Sequence, residues 1–246
     1  MYVEFLVVIW PLLLLMLGLT QIGLMYSAHL LVCQAAAKAV RAAVVIFPDE
    51  NVDDYEGVEP NRIGTDGDGG GALDVYKNAP EGGRLDQIRM AARITLAPAA
   101  PALTSYFGKS LADGIGDNPI TSALAGAALW NAYAVAVTFP DRSDEAAAKE
   151  EAAEEDGDAQ MPTYKTEFQS QELITARVTF LYKCPVPLAR GIMCKSYSDL
   201  PEQARAELDT AGAEKLGNKI TEFLGRRFLA IAAERSLPNQ GRSKKQ

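Results

Sequence analysis

Histidine occurs once in this sequence, at His29, and cysteine three times, at Cys33, Cys184 and Cys194. A Ser-His-Asp or Cys-His centre needs a histidine held in a cleft by a second group, and His29 stands just beyond a long apolar run, a poor place for one. Zinc needs several His or Cys ligands at close spacing, and the sequence has no such cluster. No cofactor-binding motif stands out, so no cofactor is expected and the chain does not read as an enzyme. Long basic stretches are also lacking. The net charge is −8, and the terminal Arg242-Ser-Lys-Lys reads as a solvated tail. That argues against a nucleic-acid partner, because phosphate binding needs Lys and Arg to replace counterions. No Lys or Arg precedes the apolar run and no clear small-residue cleavage pattern follows it, so a cleaved secretory signal is a poor fit.

What the chain does have is hydrophobic length. Phe5 to Leu19 contains no polar side chain, and extension to Met25 adds only Thr20 and Gln21. As a helix this stretch is about 30 Å long, enough to cross a bilayer core. Glu4 stands at its head, where a carboxylate is costly in lipid unless something pairs it. Pro11 lies within the run and predicts a kink or a locally loosened turn. Tyr26 to Phe47 then continues without Gly or Pro, rich in Ala and Leu. Leu30, Ala37, Val40, Val44 and Phe47 can share a stripe at helical spacing. Pro48 pushes its predecessor out of the helical region. The reading is one helix from Val3 to Ile46, on the order of 65 Å. Residues 1–47 would form the hydrophobic and stalk helix, and residues 48–246 a globular head.

Within the head, residues 49–83 are rich in Gly, Asp, Asn and Pro and read as an irregular excursion. There Asp66, Asp68 and Asp74 match part of a calcium loop, but Lys77 takes the place of the final acidic ligand. They make a weak calcium candidate beside the simpler reading of a flexible turn. Arg84 to Ala97 predicts a helix with Leu85, Ile88, Ala92 and Leu96 on one face. A second helix opens at Leu200-Pro201 and runs to about Leu216, before Gly217. Strands are expected around 130–139 and 172–183, and residues 227–236 read as strand or helix. Between the first two strands, 143–160 holds a dense acidic tract that reads as a solvated insert. A long helix with a small antiparallel sheet is an α+β plan.

Cys184 and Cys194 flank a loop with two prolines and Gly191, and the pair can close a structural disulfide. Redox or metal chemistry normally uses a two-residue spacer instead. Cys33 is left over on the stalk and reads as a small apolar residue. A disulfide calls for an oxidising compartment. Lys38 and Arg41 follow the apolar run while no basic residue precedes it, which points the head toward the cytoplasm. A basic leader ahead of Met1, removed by processing, reconciles the two.

Val3-Glu4-Phe5, the apolar run with Pro11, the stalk QAAAKAVRAA, the loop KCPVPLARGIMC and the end SLPNQG together resemble pilin-like proteins. The nearest type is the TadE/TadG-like pseudopilins of tight-adherence pilus systems. The resemblance implies that a prepilin peptidase removes a basic leader and that the apolar helix holds the subunit in the inner membrane. After extraction the helix would pack with other pilin subunits in a filament core at the bacterial surface. The resemblance also implies that Glu4 meets the N-terminal amine of a neighbouring subunit, and that such chains are often minor filament components. Three residues precede Glu4, one fewer than the family's usual spacing. A missing residue, a displaced cleavage or a true start at Met1 would each account for that. The second reading is a membrane-anchored extracytoplasmic binding module or adhesin that uses the acidic tract or the Asp/Gly loop.

Overall fold

The computed structural model describes residues 2–63, 76–77, 79, 81–100, 127–128, 130–142, 163–186, 189–212 and 227–239. Asp66, Asp68, Asp74 and the acidic tract 143–160 lie outside the described residues. The fold is α+β. A single helix, α1 (Tyr2–Ile46), spans 45 residues, roughly 67 Å at 1.5 Å per residue. It runs through Pro11 without interruption. Proline has no N–H, so the carbonyl of Val7, one turn back, has no intrahelical donor. The helix ends where Pro48 forbids its continuation, after a last bond from Phe47 N–H to the Ala43 carbonyl at 2.9 Å.

Three antiparallel strands, β1 (Val135–Thr138), β2 (Leu173–Lys183) and β3 (Phe228–Pro238), form a sheet in the order β1-β2-β3. Val135 pairs with Phe180, and Lys183 pairs with Phe228. Both faces of β2 are covered, which explains why its residues are buried almost without alternation. One face presents Ile174, Ala176, Val178 and Phe180 to the apolar core shared with α1. On the other, Arg177 and Thr179 meet Glu207 of a helix that lies across β1 and β2. Further helices among the described residues include α2 (Arg84–Thr95), against α1 and β1, the short α3 (Ala189–Met193), and α4 (Glu202–Thr210), which carries Glu207.

Alanine makes the joint between α1 and the head. Ala28, Val32, Ala35, Ala36, Ala39, Val40 and Ala43 are buried at spacings of three and four. This is not the stripe of Leu30, Ala37, Val40, Val44 and Phe47 read from helical spacing. Val40 and Phe47 are buried as expected, but Leu30 is exposed and Ala37 and Val44 only half-buried. The small residues win because they let the helix backbone come close to the sheet, and the larger side chains are left on the flanks. Phe47 closes the far end, stacked on Phe168 at 4.3 Å and edge-on to Phe139 at 5.2 Å.

Two other expectations need correction. The expected strand 130–139 is helical over residues 130–134 and becomes strand only at Val135, because its alanines favour helix. Asn131 Nδ2 fixes that turn by donating to the Arg93 carbonyl at 2.9 Å. Likewise α4 stops at Thr210, short of Leu216, where Gly212 takes φ +83° and turns the chain. By contrast Leu85, Ile88, Ala92 and Leu96 are all buried, and residues 228–238 are strand.

Glu207 and Arg177 pair inside the head. Glu207, fully buried, accepts from Tyr164 at 2.8 Å, Arg177 at 3.2 Å and Gln203 at 3.2 Å, and from Thr179. Arg177 also reaches its cross-strand partner Glu234 at 3.0 Å. Together they tie α4 to the sheet, and removing one member would leave a buried charge uncompensated.

Tyr76 is fully buried and donates to the Lys165 carbonyl, and burial pushes its hydroxyl far above the ordinary value of 10.0. An unfolded tyrosine ionises near pH 10 while the buried one does not, so this stabilisation is intact below about pH 10 and is lost as the pH rises beyond it. Arg89, pushed down to about 10 by burial and by Arg93, acts in the opposite sense. A comparison of variants at one pH cancels it. Tyr76→Phe should cost about 1 kcal/mol at pH 8. Above pH 10 it should also remove up to about 1.4 kcal/mol per pH unit of the alkaline loss. Urea denaturation of wild type and variant in detergent at pH 8 and pH 11 measures both, and identical slopes would refute the assignment.

Candidate assembly helix and its docking onto the head

Among the described residues, the first half of α1 carries a run of large apolar side chains that the head leaves uncovered. Val7, Trp10, Leu12, Leu13, Leu14, Leu15, Met16, Leu19, Ile22 and Leu24 are between 41% and 68% exposed. Ten large apolar side chains on one bare helix are far from the scattered surface hydrophobics of a soluble domain. By length and composition this helix can cross a membrane. Glu4 and Phe5 lie in its first turns and Pro11 in its exposed part.

Where the bare half ends, the head begins, and Gln21 marks the place. Its side chain is fully buried, and Gln21 Oε1 accepts from Val186 N–H at 3.2 Å. Val186 belongs to the loop closed by Cys184 and Cys194, which are bonded with Cα atoms 6.6 Å apart. The far side of the loop carries α3, which also rests on α1. Both ends of the loop are stitched to the start of β3. Cys184 N–H donates to the Arg227 carbonyl at 3.3 Å, and Lys195 and Phe228 exchange bonds of 2.9 and 2.7 Å. Arg227 Nη1 donates to the carbonyls of Gly191 at 2.7 Å and Cys194 at 3.2 Å.

At the other end of α1 the last carbonyls need donors, as at any helix C-terminus. Arg84 supplies them. Its guanidinium is buried and donates to the carbonyls of Ile46, Phe47 (3.4 Å), Asp49 (2.7 Å) and Val58 (3.3 Å), and sits 4.2 Å from the ring centroid of Tyr55. A cation there also complements the negative end of the helix dipole. Burial lowers the guanidinium from its usual value, against the opposing pull of Tyr55 and Asp49. Arg84 opens α2, a position where a cation faces the positive end of that helix's own dipole, and this is the sequence signal that could have drawn notice to it.

His29 and Cys33 sit one turn apart, with Nε2 and Sγ 3.6 Å from each other. Among the described residues no three His, Cys, Asp or Glu side chains gather as a metal site. The sequence-expected residues therefore fall into two groups. Cys184 and Cys194 come together beside the point where α1 leaves the head, while Glu4, Phe5 and Pro11 lie along the bare helix below it.

The structure is a long helix, apolar and exposed in its first half and packed against an α+β head in its second. The family model described as TadE-like protein matches residues 2–41, nearly the whole of α1, so the likeness to that family lies in this helix. No curated protein and no solved structure matches the chain. Helix and match together fit a pilin-like protein associated with a tight-adherence pilus system and held to a membrane by its N-terminus.

The bond between Cys184 and Cys194 closes a short loop, and the chain-entropy account values it at about 2–3 kcal/mol. Replacing both with Ser should lower stability by that amount in urea denaturation under non-reducing conditions. An unchanged midpoint would show that β3 and Arg227 hold the loop unaided.

Proposed function

We propose that the chain is a structural pilin-like subunit that assembles through its N-terminal helix into a pilus or pseudopilus filament of a tight-adherence, type IV-like system. The observation that carries this reading is the run of exposed large apolar side chains in the first half of α1, beside a head whose described core packs on residues 28–47 of the helix. Lipid covers such a surface before assembly, and the same surface offers Leu, Val and Ile side chains to neighbouring helices afterwards. Mechanistically this is packing, not catalysis.

Glu4 supplies what a plain membrane anchor would not need. An ionised carboxylate in an apolar helix is expensive to bury alone, and a neighbouring subunit's N-terminal amine cancels the charge and sets the axial offset between helices. Phe5 begins the apolar surface, and Pro11 leaves the Val7 carbonyl without its usual donor, a place where the helix yields when packed. A prepilin peptidase acting on a longer precursor would generate the amine. The head, braced by Cys184–Cys194, would face outward on the bacterial surface.

Glu4→Val tests the role of the carboxylate. The variant should accumulate in the inner membrane like wild type, while its recovery in sheared filaments falls about tenfold or more, the effect of losing a contact worth only ~1.4 kcal/mol. Wild-type recovery in the filament fraction would remove Glu4 from the mechanism.

A further inference from the structure

We propose that Ile192 and the described residues beside the Cys184–Cys194 bridge form a membrane-contacting foot, by which the head rests on the anionic lipid surface beside its own anchoring helix. The inference rests on the reading of the first half of α1 as a membrane span. Gln21 is about 30 Å along the helix axis from Tyr2, one hydrocarbon thickness. The loop binds α1 at that level through Val186 and Gln21, at the end of the head that faces the bilayer. The direction of the sheet agrees. β2 runs down to Lys183 and β3 starts from Phe228 opposite it, so both strand ends and the loop between them lie at the membrane-facing edge.

Two properties of that edge match an interfacial lipid contact. The first is an apolar tip. Ile192, in α3, is 87% exposed, the highest exposure among the large apolar residues described in the head. None of the described head residues covers it, yet the disulfide and Arg227 hold it in place through the carbonyls of Gly191 and Cys194. The second is charge. The chain as a whole is acidic, at −8, but Lys195 and Arg227 lie at this edge, with Asp199 near Lys195 among the described residues. An apolar residue flanked by Lys and Arg is the composition that settles at the headgroup boundary, with the apolar side chain immersed and the cations on lipid phosphates. A rigid foot also limits how far the head can tilt about the helix, which presents every subunit to its assembly partners in one orientation.

The test uses the full chain reconstituted in vesicles of phosphatidylethanolamine and phosphatidylglycerol. In a Cys33→Ser background with the disulfide intact, a nitroxide is placed by Ile192→Cys, by Val7→Cys on the bare helix, or by Ile94→Cys, an exposed position on α2. Collision with a water-soluble nickel chelate reports immersion. The Ile192 label should be several-fold better protected than the Ile94 label, though less than the Val7 label, and replacing phosphatidylglycerol with phosphatidylcholine should weaken its protection. If Val7 is protected while Ile192 is as accessible as Ile94, the foot is refuted and the span stands. An accessible Val7 refutes the span and the foot with it. Protection of Ile192 in assembled filaments but not in vesicles would assign the loop to a neighbouring subunit and overturn the lipid contact.

Discussion

Ala28, Ala35, Ala36, Ala39 and Ala43 let α1 lie close against the sheet, and the position of every other part follows from that contact. The sheet face bearing Ile174, Ala176, Val178 and Phe180 is filled by the helix, so a second helix, α4, has to cover the opposite face. Because Arg177 and Thr179 turn toward that second helix, Glu207 can be buried with all its bonds satisfied. Phe47 then seals the distal end against Phe139 and Phe168, and Arg84 takes up the carbonyls that the helix leaves open. Bulk in the seam would move the helix outward and loosen all of these at once.

The same contact ends at Gln21, and its ending matters as much as its presence. Above Gln21 the helix buries small side chains against protein. Below it, Leu, Val, Met and Trp are left bare. One unbroken helix thus serves two environments, and the rigidity of the backbone couples them. A shift of the lower half relative to its neighbours carries the head with it, without a hinge among the described residues of α1. In the proposed filament that coupling is how packing among the helices sets the arrangement of heads outside.

Much of this could be read from the residues alone, and the reasons are physical. The apolar run, Pro48 and the absence of breakers between them determine the helix and its end. Alternation in β2 and the β-branched and aromatic residues around it reveal the strand, and the loop prolines between Cys184 and Cys194 reveal the bridge. What escaped was tertiary. Helical spacing alone put Leu30, Ala37 and Val44 on one stripe with Val40 and Phe47, whereas close approach selects the face that carries the small residues. Helix propensity over residues 130–134 outweighed the aromatics there. Arg84 and Glu207 look like surface charges in the sequence, since their partners are main-chain carbonyls and side chains far away along the chain. Gln21 was visible only as a polar interruption, and its meaning depends on Val186, distant in sequence.

The central claim is that the bare half of α1 packs against the helices of other subunits once it leaves the membrane. Cysteine placed at Leu14 or Leu15, in chains lacking Cys33, and oxidised in cells that are making filaments, addresses it directly. The account predicts disulfide-linked adducts between this chain and other pilus subunits similarly substituted, recovered in the sheared surface fraction. A chain that stays monomeric in the membrane fraction while filaments are shed without it would contradict the account.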